Sequence, residues 1–292
     1  MSDKKQDSPL QLARVTEPSK PATNDNVCSA ALVLLMDESG SIGEDNWRLQ
    51  VDGTAKAIGS SDVAAVIVKS KGIAVTVMPF SGEPRQAIKW TILRTDKDIQ
   101  KFTNRLAALA DEYRQGNTNI PGALDAAFTA LEKPPCTPDR LIVDIATDGE
   151  SNDITSPLSD EEAKNAPRNA PHYESDERML AKVTDPKAIA ATQKMRAKAM
   201  ERGITINGIG ISVASQNMPA ISLRENVITK DGQVFEVNDW KDFAEAIKNK
   251  VFMEVAGGPM PKTFALADES PNHGLPEKKA APTQLAAVHC NF

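Results

Sequence analysis

Five oxygen-bearing side chains in three separate turns have the types and spacing to hold a metal ion. The first turn carries Asp37, Ser39 and Ser41 at alternate positions of Asp-Glu-Ser-Gly-Ser; the second has Thr118 in Gly-Asn-Thr-Asn-Ile-Pro; the third has Asp148 in Thr-Asp-Gly-Glu. Alternate spacing lets the three side chains of the first turn project to one side, and Gly40 leaves the backbone free to bend between them. The set holds two carboxylates and three hydroxyls, with no imidazole or thiolate. All-oxygen donors suit a hard cation, Mg2+ first, then Mn2+ or Ca2+. Two acids leave such an ion partly uncompensated and still carrying water. A carboxylate offered by a partner protein would displace one water and complete the shell.

Something must bring three turns together, and the flanking sequence predicts what. Residues 32–36 are five apolar residues in a row, as in a strand buried on both faces of a parallel sheet. Similar runs at 73–78, 141–146 and 204–211 predict three more strands. Ligands bind at the carboxyl ends of strands in open α/β sheets, and the first and third turns follow two of these strands directly. Between them lie helical patterns. Trp47, Leu49, Val51, Ala55 and Ile58 mark the first, behind Glu44 and Asp45 at its positive end. A further helical turn is read at 63–68. Thr95-x-x-Asp98 opens a helix as a capping box, with Ile99, Phe102, Leu106 and Leu109 on its stripe. Pro121 suits the first turn of the next, whose inner face is Leu124, Phe128 and Leu131. Another helix runs from Asp185-Pro186 to Gly203, and a closing one carries Trp240, Phe243, Ile247 and Val251.

Two segments read differently. Residues 85–93 alternate, with Ile88, Trp90 and Ile92 on one face and Lys89 and Thr91 on the other, which predicts an edge strand. Residues 227–237 read as a last strand or a short hairpin around Asp231-Gly232. Strands alternating with helices give an α/β class: a doubly wound, mostly parallel sheet with helices on both faces. The expected organisation is a disordered tail over 1–27, one domain over 28–256 with a surface insertion at 154–184, and a flexible tail over 257–292.

Composition narrows the function classes. The chain has 292 residues, 40% hydrophobic and 25% charged, enough for a core. A net charge of −6 argues against a nucleic-acid partner. No apolar run is long enough to span a membrane. Residues 1–27 contain no apolar signal core, and Cys28, Cys136 and Cys290 are odd in number and far apart. The expectation is therefore no disulfide and a reducing, cytoplasmic location.

Each candidate has an ordinary reading as well. Asp37, Ser39 and Ser41 could cap the following helix; Thr118 and Asp148, in order, tip the balance to a metal site. Glu38 is expected in solvent, and Glu150 and Asp153 as exposed turn acids. Lys187, Lys194, Arg196, Lys198 and Arg202 read as a solvated helix face. Gly208-x-Gly210 is an incomplete nucleotide fingerprint and is discounted. His172, His273 and His289 are remote from the acids. Trp47, Trp90 and Trp240 read as packing residues.

Asp-x-Ser-x-Ser after the first strand, then the threonine of Gly-Asn-Thr-Asn-Ile, then Thr-Asp-Gly after a later strand resembles a von Willebrand factor type A domain with a metal-ion-dependent adhesion site. The resemblance spans roughly residues 30–255. It implies that Ser39, Ser41 and Thr118 supply hydroxyl ligands, and that Asp37 and Asp148 bind directly or through water. It also implies one antiparallel edge strand, in line with the alternation at 85–93. The Trp90 strand, Arg140-Leu-Ile-Val-Asp144 and the stretch from Gly203 to Gly208 resemble a bacterial subfamily of stand-alone domains of this type. Members of that subfamily look exported. This chain departs from them at residues 1–27 and in the insertion.

Three functions follow in order. The first is a non-enzymatic module whose metal recruits an acidic residue of a partner protein. The second is an intracellular adaptor for a ring ATPase of the AAA+ type. The third is a Mg2+-dependent phosphohydrolase with Asp37 as nucleophile. That chemistry wants a general acid two residues on, where this chain has Ser39.

Overall fold

The structure, a computed structural model, describes residues 26–149, 186–212 and 218–257. A two-residue strand β1 (Val27–Cys28) leads into β2 (Ala30–Asp37), all eight residues of which are buried. Helices α1 (Gly43–Ile58) and α2 (Ser61–Lys69) follow, then β3 (Ile73–Phe80), β4 (Ile88–Leu93), α3 (Asp96–Ala107) and α4 (Ile120–Ala130). Next come β5 (Thr137–Pro138), β6 (Leu141–Thr147), α5 (Pro186–Glu201), β7 (Ile204–Ile211), a short α6 (Met218–Ser222), β8 (Val234–Val237) and α7 (Phe243–Ala256).

Six strands form one sheet in the order β4-β3-β2-β6-β7-β8, parallel except for the β3–β4 pair. That is the doubly wound α/β sheet that the apolar runs predicted, with the one antiparallel edge strand that the resemblance implied. Chain order runs outward from β2 through β3 to β4, then returns to β6 on the other side of β2. The carboxyl ends of β2 and β6 therefore flank the point where the strand order reverses, the crevice that such sheets use for ligands. One face packs against α1, α2, α3 and α7 through residues such as Trp47, Ile67, Phe102 and Phe243. The other packs against α4 and α5 through Leu124, Phe128 and Met195. Each such fully buried side chain contributes roughly 1.5–3 kcal/mol.

Local rules placed most elements. Thr95 caps α3 and Asp98 returns the bond, completing the capping box. Asn119 caps α4, with Pro121 in its first turn. Trp47 is wholly buried and donates its indole N–H to the Leu109 carbonyl at 2.9 Å. Gly203, which ends α5, has φ of +64°. The Gly208-x-Gly210 pair is packing: a Cβ at Gly210 would strike the backbone of Ala220, and one at Gly208 would come 3.0 Å from Ile228 and Leu223 side chains.

Five expectations change. Cys28 and Cys136 form a disulfide across a sequence separation of 108. Spacing along the chain had argued against it, but β1 pairs with β5 and sets the two residues side by side. Ile88 and Trp90 do not share a face: Ile88 joins the core on the α1 side and Trp90 packs on the α4 side. The cause is a register shift against Val75–Val77, where an extra β4 residue reverses the alternation. Leu49 is 47% exposed rather than on the buried stripe of α1, because it stands two positions from both Trp47 and Val51. Of the two readings of residues 227–237 the last strand holds and the hairpin does not: they contain the four-residue β8, parallel to β7, while Val227 still belongs to the helical turn at 223–227. Glu38 is buried, as described below. Of the expected tails and insertion, 1–25, 154–184 and 258–292 lie outside the described residues, as do Glu150, Asp153 and the three histidines; Val27 is strand.

On α5 the basic residues are occupied, not a free patch. Lys198 pairs with Asp125 at 2.9 Å and Arg202 with Glu132 at 3.6 Å, while Arg196 donates to the Glu225 carbonyl at 2.8 Å.

Candidate metal centre

Asp37 is the last residue of β2, and its carboxylate is built into the end of the sheet. Oδ1 accepts the Ser39 N–H at 2.8 Å, and Oδ2 accepts the Thr147 hydroxyl from the end of β6 at 2.6 Å. The latter bond ties the first turn to the third across the crevice. Ser39 and Ser41 hydroxyls lie 3.2 Å apart, and Ser41 donates to Asp148 Oδ1 at 2.8 Å. Thr118 precedes the α4 cap. Its hydroxyl lies 3.8 Å from where a Cβ on Gly149 would stand, and that of Ser41 lies 3.9 Å from the same point. All five residues singled out by spacing are thus brought to one place. Asp37, Ser39, Thr118 and Asp148 are buried, and Ser41 stands at the exposed rim.

Helix capping does not explain this turn, because the residue before α1 is Ile42 and no side chain caps that helix. The turn is held from outside instead. Gln50 donates to the Asp37 carbonyl at 2.9 Å, Tyr113 donates to the Ser39 carbonyl at 2.9 Å, and the Gly40 N–H donates to the Gly116 carbonyl at 2.9 Å. Thr147, Gln50 and Tyr113 were not picked out from the sequence. Gln50 carried one signal: a polar residue beside the buried Trp47 and Val51 on the same helix.

Glu38 does turn away from its alternating neighbours, as expected, but into the protein rather than solvent. Its N–H continues the ladder to the Phe80 carbonyl at 2.8 Å, so the side chain stays within the fold. There it meets Arg85 at 3.1 and 3.2 Å, and Arg85 also reaches Glu112 at 3.2 Å. Burial raises the Glu38 carboxyl pKa above its usual value, against the opposing pull of Arg85.

The two site acids share a shortage of positive charge. Burial, with a further push from the Asp148 charge, raises the Asp37 pKa to about 7, despite the bonds from Thr147 and Ser39. Burial likewise raises that of Asp148 against the bond from Ser41. Among the described residues no cation figures among the groups that lower either acid. Asp148 Oδ2 is buried without a hydrogen-bond partner. Two under-neutralised carboxylates, an orphaned oxygen and three hydroxyls fit a hard divalent cation. With no imidazole or thiolate among the five, the set does not suit a softer ion.

A pH dependence follows. In the unfolded chain Asp37 loses its proton near 3.8, and in the metal-free fold near 7. The folded state binds more protons between those values, so this group's contribution to metal-free stability falls as pH rises from about 4 to about 7 and is flat above. A cation competes with the same proton, so its affinity climbs across that window. Calorimetric titration at the two ends should show the rise; equal affinity at both would contradict it.

Comparisons with known proteins bear on the fold. The family model described as "Protein of unknown function (DUF1194)" matches residues 27–170 and 181–259. The Sporozoite surface protein 2 of Plasmodium yoelii yoelii is 32% identical over 136 residues, 45% of this chain and 16% of that protein. The vWF domain of the type V pili tip protein Mfa5 from Porphyromonas gingivalis superposes with a TM-score of 0.52 at 14% identity, over 80% of this chain and 98% of that one. The PilB minor pilin from Streptococcus sanguinis gives 0.54 at 15% identity, over 80% and 64%. The Mfa5 likeness identifies the fold as that of von Willebrand factor type A domains.

Proposed function

We propose, from the premise that the chain belongs to the DUF1194 family and has a von Willebrand factor type A fold, that it is a divalent-cation-dependent protein-binding module. The observation that carries this is the pair Asp37 and Asp148, buried together with no basic side chain among the groups that lower either carboxyl pKa, and with Ser39, Ser41 and Thr118 beside them. These five would hold the ion, Mg2+ first by donor chemistry. Bound there, the metal would supply a coordination position for a carboxylate of a partner protein. The chain's own part is to fix the donors: Gln50, Tyr113 and Thr147 hold the first turn against the sheet before any partner arrives. The exposed rim at Gly40 and Ser41 is the side from which a partner residue would enter.

The reading is non-enzymatic. Both Asp37 oxygens are engaged and the side chain has no exposed surface, so it is poorly placed to attack a phosphate in line. Ser39 cannot protonate a leaving group at neutral pH. No feature of the described residues favours the ATPase-adaptor reading over this one. For location, the Cys28–Cys136 disulfide supports an oxidising compartment in place of the cytoplasm expected from sequence. The Plasmodium relative is a surface protein by name, which agrees.

The test is capture of partners from an extract of the source cells on the immobilised full chain, in Mg2+ and in excess EDTA, beside Asp37→Ala. Capture should need the metal and vanish in the variant. Equal capture in chelator would overturn the proposal. Phosphatase activity that requires Mg2+ and is lost in Asp37→Asn would replace it with the hydrolase.

A further inference from the structure

A second buried cluster of charge lies between the sheet and α7. Asp144 sits in the middle of β6, level with Leu34 of β2 and Asn207 of β7. Lys250 and Glu254, one turn apart on α7, meet it there. Lys250 is 0% exposed, Asp144 2% and Glu254 4%. The layer around them is mostly apolar, built of Leu32, Leu34, Ile142, Ile247 and Val251, with Asn207 and Arg140 as its other polar side chains beside Glu254. Lys250 Nζ is in direct contact with Asp144 Oδ1 and lies 3.1 Å from Glu254 Oε1, yet it forms no hydrogen bond of acceptable geometry. Asp144 Oδ2 and Glu254 Oε2 are also buried without partners.

We propose that Lys250 and Asp144 are joined by an intramolecular isopeptide bond, formed by the folded chain on itself with Glu254 relaying the proton. The juxtaposition that carries it is an amine pressed on a carboxyl group in an apolar layer, with a second carboxyl group within reach of both.

As an ion triad the cluster is poorly solved. Two carboxylates and one ammonium carry an excess of negative charge where Asp144 Oδ2 and Glu254 Oε2 are unpaired; burial opposes that, and the half-buried Arg140, whose charge acts on Glu254, offsets it only from the edge. Glu254 accordingly has its pKa raised to about 7, by burial first and by the Asp144 charge next, so it can stand as an acid. Its orientation is fixed: Asn207 donates to Oε1 at 2.8 Å, and the Gln233 N–H donates to the Asn207 side-chain oxygen at 3.0 Å. A desolvated amine is a competent nucleophile, and fixing it against its target removes most of the entropic barrier to condensation.

The step balances without another reactant. A proton moves from the Lys250 ammonium to the Asp144 carboxylate, giving amine and acid. The Nζ lone pair attacks the Asp144 carboxyl carbon, forming the C–N bond. Glu254 gives its proton to the departing hydroxyl, the C–O bond breaks and water leaves. Glu254 then takes the remaining proton from nitrogen and ends as it began. The product is a neutral amide that ties the centre of the sheet to α7.

The experiment is mass spectrometry of the purified full chain, with its disulfide reduced and the protein denatured. The expected mass is one water below that of the sequence. Digestion should yield a branched peptide joining Lys250 to Asp144. Lys250→Met should restore the full mass, and Glu254→Gln should leave most molecules uncondensed. Wild type at full sequence mass overturns the proposal, as does a water loss that maps to Asp148-Gly149 or Asp231-Gly232. The decisive measurement is on wild type, so misfolding of a variant does not blunt it.

Discussion

Addition of Mg2+ or Mn2+ raises the unfolding temperature of the wild-type chain, and Asp37→Ala abolishes that rise: this is the result expected of scanning fluorimetry in metal and in EDTA. A ligand that binds only the folded state stabilises it by RT ln(1 + [L]/Kd), about 2.7 kcal/mol at a hundredfold excess over Kd. In a domain of this size that amounts to roughly 5–10 °C. Asp37 is the variant of choice because it is the acid with the most to gain from a cation: it is wholly buried and its pKa is raised to about 7. Its removal also has opposing effects on the metal-free fold. The Ser39 N–H and Thr147 hydroxyl lose their acceptor, at about 1 kcal/mol each, while the burial penalty on a carboxylate disappears. The variant should therefore fold in EDTA with stability near wild type, and only the metal-linked increment should be missing. Ser39→Ala and Thr118→Ala should shrink that increment without erasing it, since a hydroxyl ligand carries no charge. An increment retained by Asp37→Ala would move the cation elsewhere. No increment with Mg2+, Mn2+ or Ca2+ in wild type would mean that the donor set holds none of them.

The convergence of the five candidate ligands was legible because its information is local. Asp37, Ser39 and Ser41 lie within five residues, and each acid follows an apolar run that must end at one edge of a parallel sheet. Five residue identities and two strand ends were enough to bring the turns together. What stayed hidden depends on partners distant in sequence. Asp144 interrupts Leu-Ile-Val-Asp-Ile-Ala-Thr, and a charge inside a strand buried on both faces demands an answering group. Nothing along the chain says that the answer is Lys250. The one hint is that Lys250 and Glu254 are one helical turn apart and border the Ile247–Val251 stripe. Glu38 was misplaced for the same reason: its position in the alternation was right, but Arg85 makes that side of the strand end interior. At β4 the period-two reading found the strand and failed on its faces, since a single extra residue opposite Val75–Val77 inverts every side chain beyond it.

The disulfide yields the other large effect. Cys28→Ala with Cys136→Ala, or reduction of the native protein, should lower the stability of the domain by about 3–5 kcal/mol, read as a lower urea midpoint. A cross-link that closes a loop of about 100 residues removes up to roughly 4.7 kcal/mol of denatured-state entropy, and residual structure in the unfolded chain reduces the yield. The sequence separation of 108 places this bond near that upper figure. Counting free thiols under denaturing, non-reducing conditions checks the bond itself: only Cys290 of the three cysteines should react, and three reactive thiols would refute the pairing. The location of the bond gives the experiment a second reading. Cys28 precedes β2 and Cys136 precedes β6, so the cross-link ties the amino ends of the two strands whose carboxyl ends carry Asp37 and Asp148. Its removal should therefore lower stability with and without metal by the same amount and leave the Mg2+ increment intact. If the increment falls along with the baseline, the two ends of the β2–β6 pair are coupled through the sheet. The disulfide would then be part of what positions the metal site as well as what stabilises the fold.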